Sequence, residues 1–321
     1  MGSTENAIAA NRDEVIAEHG PWVGFNIELA PGVYSMGPGL VGVAETRVFQ
    51  VLQIASALLP AGLDGIRVLD LGAHEGGFAL EFARQGAEVV AMEGREYHLA
   101  KARFARDALE LDNLKVVSGD VRSDLGAELG TFDLVLCLGI LYHLSRDDIG
   151  PFLTNVRKLT RNAAIIETQL ALRPRRSMTW SGASYSGIEV REHPRFAGAA
   201  MSDTPSFWLT EPSLLTLLGR VGFGSVLQVR SPLVPELMDV ADHGTYVAVV
   251  GQARTPRTVS VEPEPLAIEI PERSGRPRAH PSQGLRYRVM DRVRTSLGRG
   301  LLQGLLTKGD RASGRGEGSG R

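Results

Sequence analysis

Val68-Leu69-Asp70-Leu71-Gly72-Ala73-His74-Glu75-Gly76-Gly77 is the stretch that decides the fold. The apolar run Ile66–Leu71 predicts a buried strand that stops at Gly72, and Gly76–Gln85 predicts a helix closed by Gly86. A strand that empties through a Gly-rich turn into a helix lets backbone approach a ligand closely, because glycine has no Cβ. The spacing of Gly72, Gly76 and Gly77 is not the G-x-G-x-x-G of a nicotinamide dinucleotide site. Asp70, placed before the first glycine, is unsuited to phosphate and suits a cation such as the ammonium of an amino-acid moiety.

Outward from this stretch, strands and helices alternate about every 20 residues. Ala87–Met92 predicts a strand ending at Glu93, Glu96–Leu111 a helix, Leu114–Ser118 a strand ending at Gly119-Asp120, and Phe132–Leu138 a fourth strand. Asp147–Leu159 predicts a helix and Ala163–Glu167 a fifth strand. After Gln169 the rhythm pauses. Residues 170–209 carry aromatics among Gly, Ser and Pro, which predicts an ordered lid with little regular structure. Glu211–Val221 then predicts a helix, and Phe223–Val229 and Tyr246–Val250 two strands separated by a turn-rich stretch, 231–244. Ahead of the strand run, residues 3–19 predict a polar helix and Val43–Leu59 a helix stopped by Pro60 and Gly62. The expected fold is therefore α/β: a Rossmann-like, seven-stranded, mostly parallel sheet with helices on both faces, an N-terminal helical cap, and a lid insertion after the fifth strand. The expected organisation is an N-terminal, substrate-side segment (1–60), the main domain (61–252), a disordered linker (253–284) and a basic tail with a short helix (285–321).

Two further acids share the placement of Asp70. Glu93 ends the second strand, where a carboxylate accepts both hydroxyls of a ribose, and Asp120 ends the third, within reach of an adenine amine. Ligands of open parallel sheets bind at these carboxyl ends. A ligand with an ammonium, a ribose and an adenine but no phosphate satisfies all three.

The motifs VLDLGAHEGG, VVAMEG, SGDV and LVLCLGILYHL, in this order over roughly residues 60–252, resemble the class I S-adenosylmethionine-dependent methyltransferases. The resemblance implies that Asp70, Gly72, Ala73, His74 and Gly76 lie along the methionine part of S-adenosylmethionine. It implies that Glu93 and Gly94 hold the ribose, Asp120 with Val121 flanks the adenine, and Leu138 and Gly139 form the floor. His74 stands where the family has a glycine, so its side chain either turns away from the cofactor or contacts it. Within the class, Gly139–His143, Glu167-Thr168 and Pro205–Ser213 resemble the tRNA wobble-uridine carboxymethyl transferase family, in which the tyrosine matching Tyr142 faces the transferred group. Those enzymes hold a carboxylated cofactor with additional basic residues. None is found at matching positions in the N-terminal loop, so plain methyl transfer on the same scaffold is expected.

Methyl transfer to an oxygen needs an aligned acceptor and benefits from a base. His143 is the candidate base, since an imidazole ordinarily titrates near 6.5; its other reading is that it orders the loop. Glu167 either binds acceptor or holds His143. Trp22, Asn26, Tyr34, Trp180, Tyr185 and Trp208 are candidate walls of an acceptor pocket, and Arg173, Arg175 and Arg176 candidate anion contacts.

Composition narrows the partners. Residues 273–321 carry a net charge of +9 and residues 1–272 one of −11. An acidic body lacks the electrostatic footprint of a nucleic-acid binder, so a small-molecule acceptor, such as a sugar, carboxylate or natural-product hydroxyl, is expected first. Transfer to tRNA is the second reading, and a non-catalytic cofactor-binding subunit the third. The basic tail is expected to contact an anionic partner if it contacts any. No apolar run is long enough to span a membrane and no secretory leader pattern opens the chain, so a cytoplasmic address is expected. Cys137 is the single cysteine and lies in an apolar run, so it reads as a buried small hydrophobe, and no metal site is expected.

Overall fold

The computed structural model describes residues 3–38, 43–59, 61–123, 129–192, 204–229 and 242–252. The expected linker (253–284), the basic tail with its helix (285–321) and most of the turn-rich stretch 231–244 lie outside the described residues.

Seven strands form one sheet: β3 (Arg67–Leu71), β4 (Glu88–Glu93), β5 (Leu114–Ser118), β6 (Phe132–Leu138), β7 (Thr160–Gln169), β11 (Ser225–Val229) and β12 (His243–Val249), in the order β11-β12-β7-β6-β3-β4-β5. From β5 to β7 all neighbours are parallel, and β12 runs antiparallel between β7 and β11. The sequence dictates this. β3 and β6 are near-continuous apolar runs buried on both faces, as central strands of a covered parallel sheet must be. Side chains alternate across the sheet, so Leu134, Leu136 and Leu138 enter one hydrophobic cluster while Val135 and Cys137 enter the other.

The first cluster lies under α3 (Gly77–Arg84) and α4 (Glu96–Ala108), with α1 (Ser3–His19), α2 (Val43–Leu58) and a small hairpin, β1 (Glu28–Ala30) and β2 (Val33–Tyr34), as the N-terminal cap. The second cluster lies under α5 (Arg146–Leu159) and α6 (Glu211–Arg220). Thr210 caps α6 by accepting from Ser213 N, with Pro212 in the first turn, where its missing N–H costs nothing.

The lid departs from expectation. Residues 170–209 hold regular structure, a three-stranded antiparallel sheet of β8 (Arg176–Trp180), β9 (Ala183–Val190) and β10 (Ser206–Leu209), in the order β10-β9-β8. Ser181 and Gly182, both at positive φ (47° and 74°), make the two-residue turn of the β8–β9 hairpin, the primed geometry that matches strand twist. Only Met178, Tyr185 and Gly187 of its first two strands are buried, so the alternation is nearly invisible among Arg, Ser and Thr. No helix among the described residues is long and apolar enough to cross a membrane.

Candidate active site

β3 pairs with β4 on one side and β6 on the other, and the helices that follow β3 and β6 cover opposite faces of the sheet. A crevice opens at such a switch point, outside the carboxyl ends of the strands. On the β3 side the turn into α3 holds three residues at positive φ: Gly72 (67°), His74 (54°) and Gly76 (84°). A Cβ at Gly72 would lie 2.8 Å from Ile140 Cδ1, so the Ile140 side chain would have to move aside. His74 is the one residue of the three that adopts this region at a steric cost.

Glu93 fastens the turn to β4. Its Oε2 accepts from His74 N (2.9 Å) and its Oε1 from Gly94 N and Arg95 N (2.9 Å each). Ala73 N donates to Met92 O (2.9 Å). The His74 ring lies 3.7 Å from that of His98, edge-on to Phe25, and against Gly24. Beside it Glu75, fully buried, accepts from Val23 N, Gly24 N and the Lys101 ammonium (3.2 Å). His74, Glu75 and His98 offer ligand-type atoms within 4.8 Å of one another, but Lys101 already supplies the positive charge that Glu75 requires.

Asp70 is shut inside β3. A backbone hydrogen bond from Ala79 reaches it, yet Oδ2 meets no donor among the described residues. Burial, and secondarily Glu93, push its pKa up to about 7. A buried carboxyl in this condition calls for a cation, and the adjoining glycine turn leaves room for backbone to approach one; these residues fit the amino-acid end of S-adenosylmethionine. Asp120 is placed differently from Asp70 and Glu93. It is exposed, bonded to Arg122 through N (2.9 Å), Nε (3.0 Å) and Nη2 (2.6 Å), and held below its ordinary range chiefly by that side-chain contact. Val121 packs on the second cluster, Leu138 is buried, and Gly139, at φ 79°, donates to the Glu167 carbonyl (3.0 Å).

On the β6 side, Leu141–His143 forms a 3₁₀ turn. Trp208 Nε1 donates to the Tyr142 carbonyl (3.0 Å) and its ring meets Tyr142 edge-on at 6.2 Å. Burial pushes the Tyr142 phenol up to about 12, so it stays protonated. His143 Nδ1 lies 2.7 Å from Glu192 Oε2, at the end of the chain leaving β9, and Ser206 Oγ donates to Glu192 Oε1. Glu167 does not hold His143, which corrects one of its two expected roles. Its carboxylate takes Nε (3.0 Å) and Nη2 (2.6 Å) of Arg47 from α2, and His243 Nε2 (3.0 Å) from β12. Burial acts to raise the Glu167 pKa, but His243 and Arg47 outweigh it and hold the group low.

The candidate pocket walls are spread over the fold. Trp22 packs at 6.0 Å on Phe104 in the core, Tyr185 is fully buried, Trp180 rests on Gly150, and Tyr34 pairs with Glu28. Asn26 binds the backbone of residues 36 and 37. Of that group only Trp208 borders the Tyr142–His143 turn. Arg173, Arg175 and Arg176 are exposed, and Arg176 lies 3.9 Å from Glu189. Glu75, Lys101, Arg47, Glu192 and His243 were not anticipated; each acts through a partner distant in sequence.

Residues 68–163 match the methyltransferase domain family. The chain is 28% identical to the N-terminal domain of EvdMO1, solved in the presence of SAH and D-fucose, over 79% of this chain and 100% of that one, with a TM-score of 0.60. It is 35% identical over 107 residues to the magnesium-protoporphyrin O-methyltransferase of Rhodobacter capsulatus, covering 33% of this chain and 46% of that protein. It is 45% identical over 74 residues to the 23S rRNA (uracil(1939)-C(5))-methyltransferase RlmD of Shewanella amazonensis, covering 22% of this chain and 17% of that protein. The chain thus spans less than half the length of these two curated relatives. Residues 68–163 carry the methyltransferase domain match, and S-adenosylmethionine is the cofactor of such domains.

Proposed function

We propose that the protein O-methylates a small hydroxylated acceptor, a sugar first among them, with His143 as general base. The observation that carries this reading is the His143 imidazole. Its Nδ1 is taken by a carboxylate, and it adjoins Tyr142 on the turn that follows the floor residues Leu138 and Gly139. Support for a sugar comes from the EvdMO1 domain, whose structure was solved with SAH and D-fucose, and support for oxygen transfer from the magnesium-protoporphyrin O-methyltransferase.

In this reading Asp70, the Gly72–Gly76 turn with Ala73 and His74, Glu93 with Gly94, Asp120 with Val121, and Leu138 with Gly139 hold the cofactor. S-adenosylmethionine, when bound there, would supply an electrophilic methyl for the acceptor oxygen and would leave as SAH, its sulfur keeping the electron pair. His143 takes the hydroxyl proton at Nε2, and Tyr142 and Glu167 face the acceptor. The Arg47 ion pair and the hydrogen bond with His243 keep that carboxylate ionised and able to accept from acceptor hydroxyls.

RNA methylation is the second reading. The RlmD relatives favour it, as does the likeness of Gly139–His143, Glu167-Thr168 and Pro205–Ser213 to the wobble-uridine family. The acidic charge of residues 1–272 weighs against it. The test offers the full chain a monosaccharide panel and unmodified RNA, each with S-adenosylmethionine, and follows the gain of one CH₂ by mass. Methylated sugar, with His143→Gln lowering turnover about 10²- to 10⁴-fold and leaving SAH affinity within about twofold, is the expected result. Methylated RNA with untouched sugars overturns the small-molecule reading.

A further inference from the structure

The turn that carries His143 is bracketed by the lid sheet. Phe207 N of β10 donates to the Leu144 carbonyl (2.8 Å), and Trp208 Nε1 donates to the Tyr142 carbonyl (3.0 Å), so β10 grips the backbone on both sides of His143. The same sheet supplies the group that meets the imidazole. Ser206 opens β10 opposite Val190 at the end of β9, and Glu192 follows two residues beyond Val190. Ser206 is buried and donates to Glu192 Oε1, leaving Oε2 against His143 Nδ1 at 2.7 Å. The imidazole and the carboxylate are each mostly buried.

We propose that Glu192, clamped by Ser206, is a positioning residue that sets the tautomer and orientation of His143. The proposal rests on the reading of His143 as the base. An ionised carboxylate only accepts, so it requires the proton on Nδ1 and leaves the Nε2 lone pair open. When Nε2 takes a proton from an acceptor, the imidazolium that forms keeps its Nδ1 proton and lies against a fixed negative charge. Among the described residues, Tyr142 lies beside this pair, its ring 4.2 Å from that of His143, and Arg47 and Glu167 act on Tyr142 and neutralise each other. Glu192 is the carboxylate that meets the imidazole directly. The lid sheet, absent from the parallel core, is what aligns the base.

The experiment compares the full-length protein with Glu192→Gln, Glu192→Asp, Ser206→Ala and His143→Gln. It measures kcat with S-adenosylmethionine and the monosaccharide panel across pH, SAH affinity by calorimetry, and the tautomer of His143 in the ligand-free protein by long-range ¹H–¹⁵N NMR. Glu192→Gln is expected to lower kcat about 10- to 100-fold with SAH affinity held within about twofold. It should also move the acid limb of the kcat profile to lower pH and convert a single Nδ1–H tautomer into a mixture. Glu192→Asp should recover part of each change, and Ser206→Ala should show a smaller loss of the same kind. An unaltered tautomer and an unmoved pH profile in Glu192→Gln overturn the positioning role, whatever happens to kcat. Loss of turnover in His143→Gln alone ends the role of Glu192 and leaves the base intact. Full turnover in His143→Gln removes the base itself, and the proposal with it.

Discussion

The place proposed for Asp70, beside the cofactor's ammonium, joins binding to pH. Its carboxyl is raised from 3.8 to about 7, mainly by burial and then by Glu93. The folded-state value lies above the unfolded one, so the stability linked to this group is fully present below about pH 4 and is lost as pH rises through about 7. Asp70→Asn removes the titration. Wild-type melting temperature should fall relative to the variant between about pH 5 and pH 8, and parallel curves would assign the pH dependence elsewhere. A cation bound beside Asp70 reverses its shift. SAH, which keeps the ammonium, should therefore release a proton on binding near about pH 6.5 in the wild type and not in Asp70→Asn. Calorimetry in buffers of different ionisation enthalpy reads this, and equal proton release in the two proteins would remove Asp70 as the partner of the ammonium. Gly72 makes a steric counterpart. Gly72→Ala meets both a left-handed φ of 67° and Ile140. It should cost about 1–2 kcal/mol in denaturant unfolding and at least about tenfold in SAH affinity. Unchanged affinity would mean that ligand stays clear of this turn.

At the scale of elements, the N-terminal segment is tied to the Gly72–Gly76 turn by a charge pair inside the protein. Glu75, next to His74, receives the N–H groups of Val23 and Gly24, and Lys101 from α4 bridges Glu75 to the Pro21 carbonyl (2.7 Å). Breaking one partner strands the other. Lys101→Met should cost about 3–5 kcal/mol, while Lys101→Met combined with Glu75→Gln should recover much of it, as measured by chemical denaturation. Additive losses would show that the two residues do not act as a pair. This unit marks where sequence reasoning ends. The places of Asp70, Glu93 and Asp120 at or just past strand ends, and of Gly72 in a turn, could be read because each is written in its own short stretch of sequence. The partners could not. Arg47 meets Glu167 across 120 positions, Glu192 meets His143 across 49, and Lys101 meets Glu75 across 26, and none carries a local periodic signal. The lid hairpin escaped for a related reason. Few of its positions are buried, Met178, Tyr185 and Gly187, while the other apolar side chains, Trp180, Ala183, Ile188 and Val190, stay partly exposed. Asp120 shows the converse case, a strand-end acid read correctly for position whose charge is met by Arg122, two residues away.

Across the whole molecule, sheet order gathers the site. Because β12 runs antiparallel beside β7, its first residue, His243, falls at the same edge as the carboxyl end of β7 and reaches Glu167, while α2 delivers Arg47 from the cap. The charges so gathered are largely matched within the site. Arg47 meets Glu167, Lys101 meets Glu75 and Arg122 meets Asp120, so these three cations of the described residues are already engaged by carboxylates. Binding through phosphate contacts weakens steeply with salt, by about 10³- to 10⁵-fold between about 50 and 200 mM for a protein making 6–10 of them. A small neutral acceptor held by hydrogen bonds has no such dependence. Turnover of the monosaccharide panel by the full chain should therefore change by less than about threefold over that range, while any association of the same chain with RNA, for which the +9 of residues 273–321 is the evident source, should fade. The two responses separate the basic tail from the chemistry. A turnover that falls in step with RNA release would instead join them and make the nucleic acid the substrate.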